Sequence, residues 1–164
     1  NAPEFLRTPE PLIQKEFSRI MSLKDGQKKM SKSDPSDLSR INLTDDKDQI
    51  ANKIKKAKTD PLPMPSESNI LSQRPEAENL LSIYSSLTNQ SLEKSINEFN
   101  GKNFSEFKEK LSEIIIEKIE PISKEIKKLL KDERYLDSIL LEGSQKADRI
   151  ASKKIIEIKE LVGF

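Results

Sequence analysis

Asp25-Gly26-Gln27-Lys28-Lys29-Met30-Ser31-Lys32-Ser33-Asp34-Pro35 is the stretch from which the rest of this chain can be read. A glycine near its start and an Asp-Pro at its end give it the composition of a loop rather than of a helix or a buried strand. Lys29 and Lys32 set two ammonium groups three positions apart, with the hydroxyls of Ser31 and Ser33 between and after them. Lysine is a compact charge on a flexible stem. A pair of them in a mobile segment can follow phosphate oxygens and stabilise charge that grows on a departing polyphosphate. Gly26 reads as the hinge of that movement, and residues 24 to 36, which lack apolar anchors, are expected to be poorly ordered in the absence of a nucleotide.

Composition removes most competing chemistries. There is no histidine among the 164 residues, so the commonest general base, the commonest metal ligand and every nucleophile–histidine pair are excluded together. Without cysteine there are neither disulfides nor thiolate metal sites. Only 4 glycines leave no Gly-rich phosphate cradle, so Lys29 and Lys32 are the chief candidates for phosphate chemistry. The balance of 29 basic and 28 acidic residues, net +1, supplies no global field toward nucleic acid or an anionic membrane, so any RNA contact has to be local. No apolar run approaches the length of a membrane span, and the expectation is a soluble, cytoplasmic protein without membrane partners.

Outward from the loop, Phe17–Leu23 reads as a short strand ending at Lys24-Asp25-Gly26. Prolines at 3, 9 and 11 keep the first dozen residues extended. Asp45 and Asp46 offer N-caps to a helix running to about Lys58, with Ile50, Ile54 and Ala57 as its apolar stripe and Thr59-Asp60-Pro61 as its stop. The proline- and serine-rich segment 61–74 reads as a linker. Beyond it the pattern is helical. Pro75 suits the first position of a helix whose Leu80, Leu81, Tyr84 and Leu87 share a side, and Ser91 caps a shorter helix ended by Gly101. A long helix opens near Ser105 and carries Phe107, Leu111, Ile114, Ile115, Ile119, Ile122, Ile126, Leu129 and Leu130 in one sector, at about 100° per residue. Pro121 predicts a kink or break near Glu117 to Glu120. Asp132 to Glu142 makes a further helix closed by Gly143. The last runs from Ser144 to about Val162, with Ala147, Ile150, Ala151, Ile155, Ile158, Leu161 and Val162 on one face and Ile156 opposite.

Five residues alone would not distinguish a phosphate loop from a lysine-rich turn. The flanks do. Pro9-Glu10-Pro11-Leu12-Ile13, Arg19-Ile20-Met21-Ser22-Leu23, the Lys-Met-Ser-Lys-Ser pentapeptide in its Asp-Gly and Asp-Pro frame, Arg40-Ile41-x-Leu43-x-Asp45-Asp46 and Lys53 through Asp60 together closely resemble the bacterial tryptophanyl-tRNA synthetases, members of class I. The tail from Leu141 to Ala151 resembles that family's C-terminal helix more weakly, and residues 61 to 140 do so mainly in pattern.

The resemblance implies a mainly α fold: a helical bundle preceded by a short strand and phosphate loop from the edge of a class I, Rossmann-like nucleotide-binding fold that is otherwise absent. In these terms residues 1–60 are the catalytic remnant and 61–74 the linker. Residues 75–164 are then the helical region that recognises the tRNA anticodon, its last helix packing on the missing catalytic domain. The implied activity is that of a tryptophan–tRNA ligase: ATP and tryptophan give tryptophanyl-adenylate and pyrophosphate, and the aminoacyl group passes to tRNA-Trp. By the same resemblance Lys32 and Lys29 are the catalytic residues. The ATP-binding set is Ile20, Lys29, Met30, Ser31, Lys32 and Ser33, with Ile20 and Met30 against adenine and Mg2+ carried in with the nucleotide. No protein-held metal is expected. The family also implies a homodimer for the full-length enzyme, and the residues in hand, read as a C-terminal part, are expected to be inactive alone. A non-catalytic tRNA-binding module and a tyrosyl-type class I synthetase remain the alternatives.

Several residues have plainer readings. Lys55 and Lys56 lie opposite the apolar stripe of their helix with Lys53 and Lys58 at its edges, the pattern of a solvated face rather than an RNA-binding stripe. Tyr84, Phe99, Phe104, Phe107 and Tyr135 read as core side chains before they read as base-stacking platforms. The pairs Asp45 and Asp46, and Asp34 and Asp37, read as helix-start carboxylates.

Overall fold

The computed structural model describes Phe5, residues 8–13 and residues 18–163. Its elements are two strands, β1 (Met21–Ser22) and β2 (Asp25–Lys29), and five helices: α1 (Lys47–Lys56), α2 (Pro75–Thr88), α3 (Leu92–Phe99), α4 (Phe104–Leu129) and α5 (Glu133–Val162). Single 3-10 stretches cover Asp37–Ser39 and Ser68–Gln73. The chain divides into two compact units, Asn1–Glu120 and Pro121–Phe164.

In the first unit one apolar core unites Leu23, Ile50 and Ile54 of the entry segment and α1 with Leu80, Leu81 and Tyr84 of α2, Ile96 and Phe99 of α3, and Phe107, Leu111 and Ile115 of α4. At its centre Tyr84, Phe99 and Phe107 interlock, with Phe99 edge-on to both neighbours at centroid distances of 4.9 and 4.8 Å. The hydroxyl of the buried Tyr84 is satisfied by donating to Glu98 at 2.9 Å. These three aromatics are core, as their spacing predicts. Phe104 is partly buried against the same core, beneath the Arg74 guanidinium, whereas Tyr135 is exposed and is not the core side chain expected.

Local signals account for the helix starts. Asp46 caps α1 in a reciprocal box with Gln49, Pro75 occupies the first turn of α2, and Ser91 accepts from the Lys94 amide to cap α3. Asn103 accepts from the Glu106 amide and starts α4 one residue before the Ser105 expected.

Four expectations are corrected. The strand is much shorter than Phe17–Leu23: it holds only Met21 and Ser22, and Phe17 lies outside the described residues. Leu23 leaves the ladder because its amide bonds the Ser39 carbonyl at 2.9 Å and its carbonyl takes the Lys58 amide at 2.7 Å. Second, the first part of the expected loop is strand. Residues Asp25–Lys29 fold back antiparallel on β1 with Met21 opposite Lys29.

Third, Gly26 is a packing glycine and not a hinge. It is buried, its φ is not positive, and a Cβ there would sit 2.6 Å from the Pro75 carbonyl carbon and 2.7 Å from the Glu76 nitrogen. Fourth, Gly143 ends nothing. α5 runs through it from an Asp132 cap to Gly163 at φ +84°. One exposed glycine costs a helix about 1 kcal/mol, too little to interrupt the strong helix formers on either side.

Pro121 likewise does not break α4, although the boundary between the two units falls there. Consistent with that boundary, the stripe of α4 is buried only as far as Ile115, and Ile122 and Leu130 are exposed. Segment 61–74 is built into the first unit: Met64 and Leu71 are core, and Arg74 clasps the Asp60 carboxylate through two bonds of 2.9 and 2.7 Å. In the second unit no residue of α5 is buried, and Ile150, Ile155, Ile156, Leu161 and Val162 are all more than 40 % exposed. No helix among the described residues is long and apolar enough to cross a membrane.

Candidate phosphate-loop site

The β1–β2 hairpin carries the loop, and α2 holds the hairpin. Asn79 of α2, only 5 % exposed, acts as an extra strand partner for Met21. Its side-chain oxygen accepts the Met21 amide and its nitrogen donates to the Met21 carbonyl, both at 2.8 Å. The close approach at Gly26 locks the other strand onto the start of the same helix. Sequence reasoning missed Asn79. Its signal was a polar residue directly beside the apolar stripe of α2, where an unpaired amide would be costly to bury.

Beyond Lys29 the strand pairing continues for one more bond, from the Met30 amide to the Ile20 carbonyl at 3.0 Å. Ile20 and Met30 are thereby brought side by side. They line one apolar cleft of about 200 Å³ with Ile41, Ile54, Ile83 and Ile119. The loop then turns: the Asp34 amide donates to the Ser31 carbonyl at 3.3 Å, and the Ser31 and Ser33 hydroxyls lie 2.9 Å apart. Lys29, Lys32 and Ser33 are exposed. Neither Lys29 nor Lys32 forms an ion pair with any described residue, whereas the adjacent Lys28 is matched by Asp25 at 3.3 Å. An apolar wedge thus stands beside a strand end and a turn that together carry two hydroxyls and, in Lys29 and Lys32, two ammonium groups without a described acidic partner.

Below the turn lies a network whose charges are all satisfied. The Arg40 guanidinium donates from Nη1 to the carbonyls of Asp34 (2.9 Å) and Ser36 (3.4 Å), and from Nε to Asn42 (3.0 Å). Its Nη2 lies 3.2 Å from the Asp37 carboxylate. Asp37 also pairs with Lys53 at 2.7 Å, and Lys53 reaches Asp45 at 2.6 Å. The hydrogen bonds from Lys53 and Asn42 hold the Asp37 carboxyl below the ordinary carboxylate range.

Two plainer readings are corrected here. Lys53 is no solvated edge residue, since its side chain is 3 % exposed, and Asp45 is no helix cap but the buried counter-ion of Lys53. Asp46 alone caps α1. Lys55 and Lys56 are exposed as expected. Arg40 and Asn42 were not singled out for any role by their residue type. Their signal is the crowd of polar residues from Asp34 to Asp45 around the partly buried Ile41, more than a solvated loop requires.

The chain belongs to the class I tRNA synthetases of the W and Y group, whose family profile matches residues 1–120. It is 51% identical over 155 residues to the tryptophan–tRNA ligase of Agrobacterium fabrum, a match covering 94% of this chain and 44% of that relative. It is 53% identical over 161 residues to the tryptophan–tRNA ligase of Rickettsia felis, covering 98% of this chain and 48% of the relative. The chain thus spans about half the length of the curated relatives it matches. Its fold is similar to that of the solved tryptophanyl-tRNA synthetase from Mycoplasma pneumoniae, with a TM-score of 0.79 at 24% identity over 99% of this chain and 49% of that one.

Proposed function

We propose that these residues supply the phosphate loop and the helical tRNA-contacting region of a tryptophan–tRNA ligase. In the first step the tryptophan carboxylate attacks the α-phosphorus of ATP, the bond from that phosphorus to the bridging oxygen breaks, and pyrophosphate leaves with the bond electrons. Lys32 and Lys29 hold the β and γ phosphates and stabilise the charge gathering there, with Lys32 following the leaving group. Ser31 and Ser33 donate hydroxyl hydrogen bonds to the same oxygens, Mg2+ enters as the ATP complex, and Ile20 and Met30 grip adenine. In the second step a hydroxyl of the terminal ribose of tRNA-Trp attacks the tryptophanyl carbonyl of the adenylate, the bond from that carbon to the phosphate oxygen breaks, and AMP leaves with the bond electrons.

The observation that carries this reading is that Lys29 at the end of β2 and Lys32 on the turn beyond it, neither matched by a described acid, stand beside the Ile20–Met30 wedge. Residues 1–60 are assigned to the catalytic side and 75–164 to anticodon recognition. The exposed apolar side of α5 is assigned to packing on the catalytic domain missing from these residues. A cytoplasmic homodimer is the assembly that accompanies this assignment.

The choice of amino acid is tested by ATP–pyrophosphate exchange with the complete protein, offered tryptophan or tyrosine. Exchange that depends on tryptophan is expected. Exchange supported by tyrosine alone, or by neither, overturns the proposal.

A further inference from the structure

The two catalytic lysines are anchored by different means. Lys29 ends a strand and is fixed by the sheet: Met21 stands opposite it, and the next amide bonds the Ile20 carbonyl. Lys32 has no such support. It rides on the turn closed by the bond from the Asp34 amide to the Ser31 carbonyl, and its position depends on what holds Asp34. Asp34 precedes Pro35, which disfavours helical backbone at Asp34 and supplies no amide of its own. The Asp34 side chain is engaged in accepting the Ser36 amide at 2.7 Å. The Asp34 carbonyl is held instead by Arg40, which also reaches the Ser36 carbonyl and so grips the chain on both sides of the proline.

Resting on the function proposed above, we infer that Arg40 is a positioning residue for Lys32, acting through the Asp34 peptide. All three guanidinium nitrogens are engaged: one on the two loop carbonyls, one on Asn42, one on Asp37. Asp37 is in turn fixed by Lys53, which is tied to Asp45 beside the start of α1. The path therefore runs from a helix start, through buried charge, to the turn that presents one ammonium group. The side chain of Arg40 is 19% exposed and its contacts face the protein, so it is not itself a phosphate ligand. A lysine cannot replace it, because a single ammonium lacks the planar fork that spans these partners.

The test is single-turnover adenylate formation by the complete protein carrying Arg40→Ala, Lys32→Ala or both, with thermal melting recorded for each. Misplacing a group that acts mainly in the transition state lowers kcat more than it alters KM. Arg40→Ala is expected to cut kcat by about 10- to 100-fold while the KM for ATP stays within about threefold. In the Lys32→Ala background the same change is expected to have little further effect on rate, because the group it positions is gone. Arg40→Lys, which keeps the charge and is the gentler change should alanine impair folding, is expected to fall nearer to Arg40→Ala than to the wild type. An equal loss of rate with and without Lys32, a change confined to KM, or a wild-type rate in Arg40→Lys overturns the inference. Lys32→Ala with no loss of its own would instead overturn the functional reading.

Discussion

Two regions of the same short segment use lysine in opposite ways. At the tip of the turn Lys32 is exposed and unmatched by any described acid, whereas at its base Lys53 is buried to 3 % exposure between Asp37 and Asp45. A charge meant to meet a ligand has to be left without an internal partner. A charge meant to hold backbone in place has to be neutralised, because an unpaired buried ion is strongly unfavourable. The contrast shows that lysine content alone says little about a phosphate site. What matters is which lysines the fold has already matched.

If that division holds, substitutions at the base cost stability and substitutions at the tip cost rate. The largest stability effect is expected at Lys53. Its replacement by alanine leaves the Asp45 carboxylate buried without its counter-ion and should destabilise the fold by about 3–5 kcal/mol, toward the lower end because Asn42 still donates to that carboxylate. A shift of the denaturant midpoint reads this directly. An unchanged midpoint would show that the buried pair contributes nothing and would dissolve the distinction between base and tip.

A smaller loss is expected for Gly26→Ala, where a methyl group would meet the Pro75–Glu76 backbone at 2.6 to 2.8 Å. Main chain cannot rotate aside, so α2 and the hairpin must separate, at about 1–3 kcal/mol by comparison with overpacked cores. If Gly26 were a hinge rather than a contact, alanine would leave the melting temperature unchanged and slow loop movement instead. Thermal melting of the variant sharpens the comparison by locating where the rigid base ends.

Much of this architecture was legible from local chemistry. Asp46, Pro75, Ser91 and Gly101 punctuate the helices as their side chains and backbone preferences dictate, and the apolar stripes of α1, α2 and the first half of α4 are the ones that form the core. The six residues expected to hold ATP fall in one neighbourhood of the fold. The structure brings Ile20 beside Met30 and sets Ser31, Lys32 and Ser33 on one turn next to them.

What escaped was tertiary. β2 is rich in charged and small residues and has no strand pattern of its own; it becomes a strand because Asn79 and the close contact at Gly26 seat the hairpin on α2. Lys53 looked like a solvated edge because helical angles locate a side chain on its helix but not the acids that a preceding loop brings to it. Gly143 looked like a terminator because composition marks where a helix can stop, and helix formers on both sides outweigh one permissive residue.

The division between tip and base is tested most directly by Lys32→Ala in the complete protein, following tryptophan-dependent ATP–pyrophosphate exchange. Removing one charged contact that strengthens in the transition state should lower the exchange rate roughly 100- to 1000-fold, by analogy with deleting a single oxyanion donor, while the melting temperature stays at the wild-type value. Unchanged exchange, or a loss of rate accompanied by an equal loss of stability, would contradict the assignment of Lys32 to the leaving phosphates.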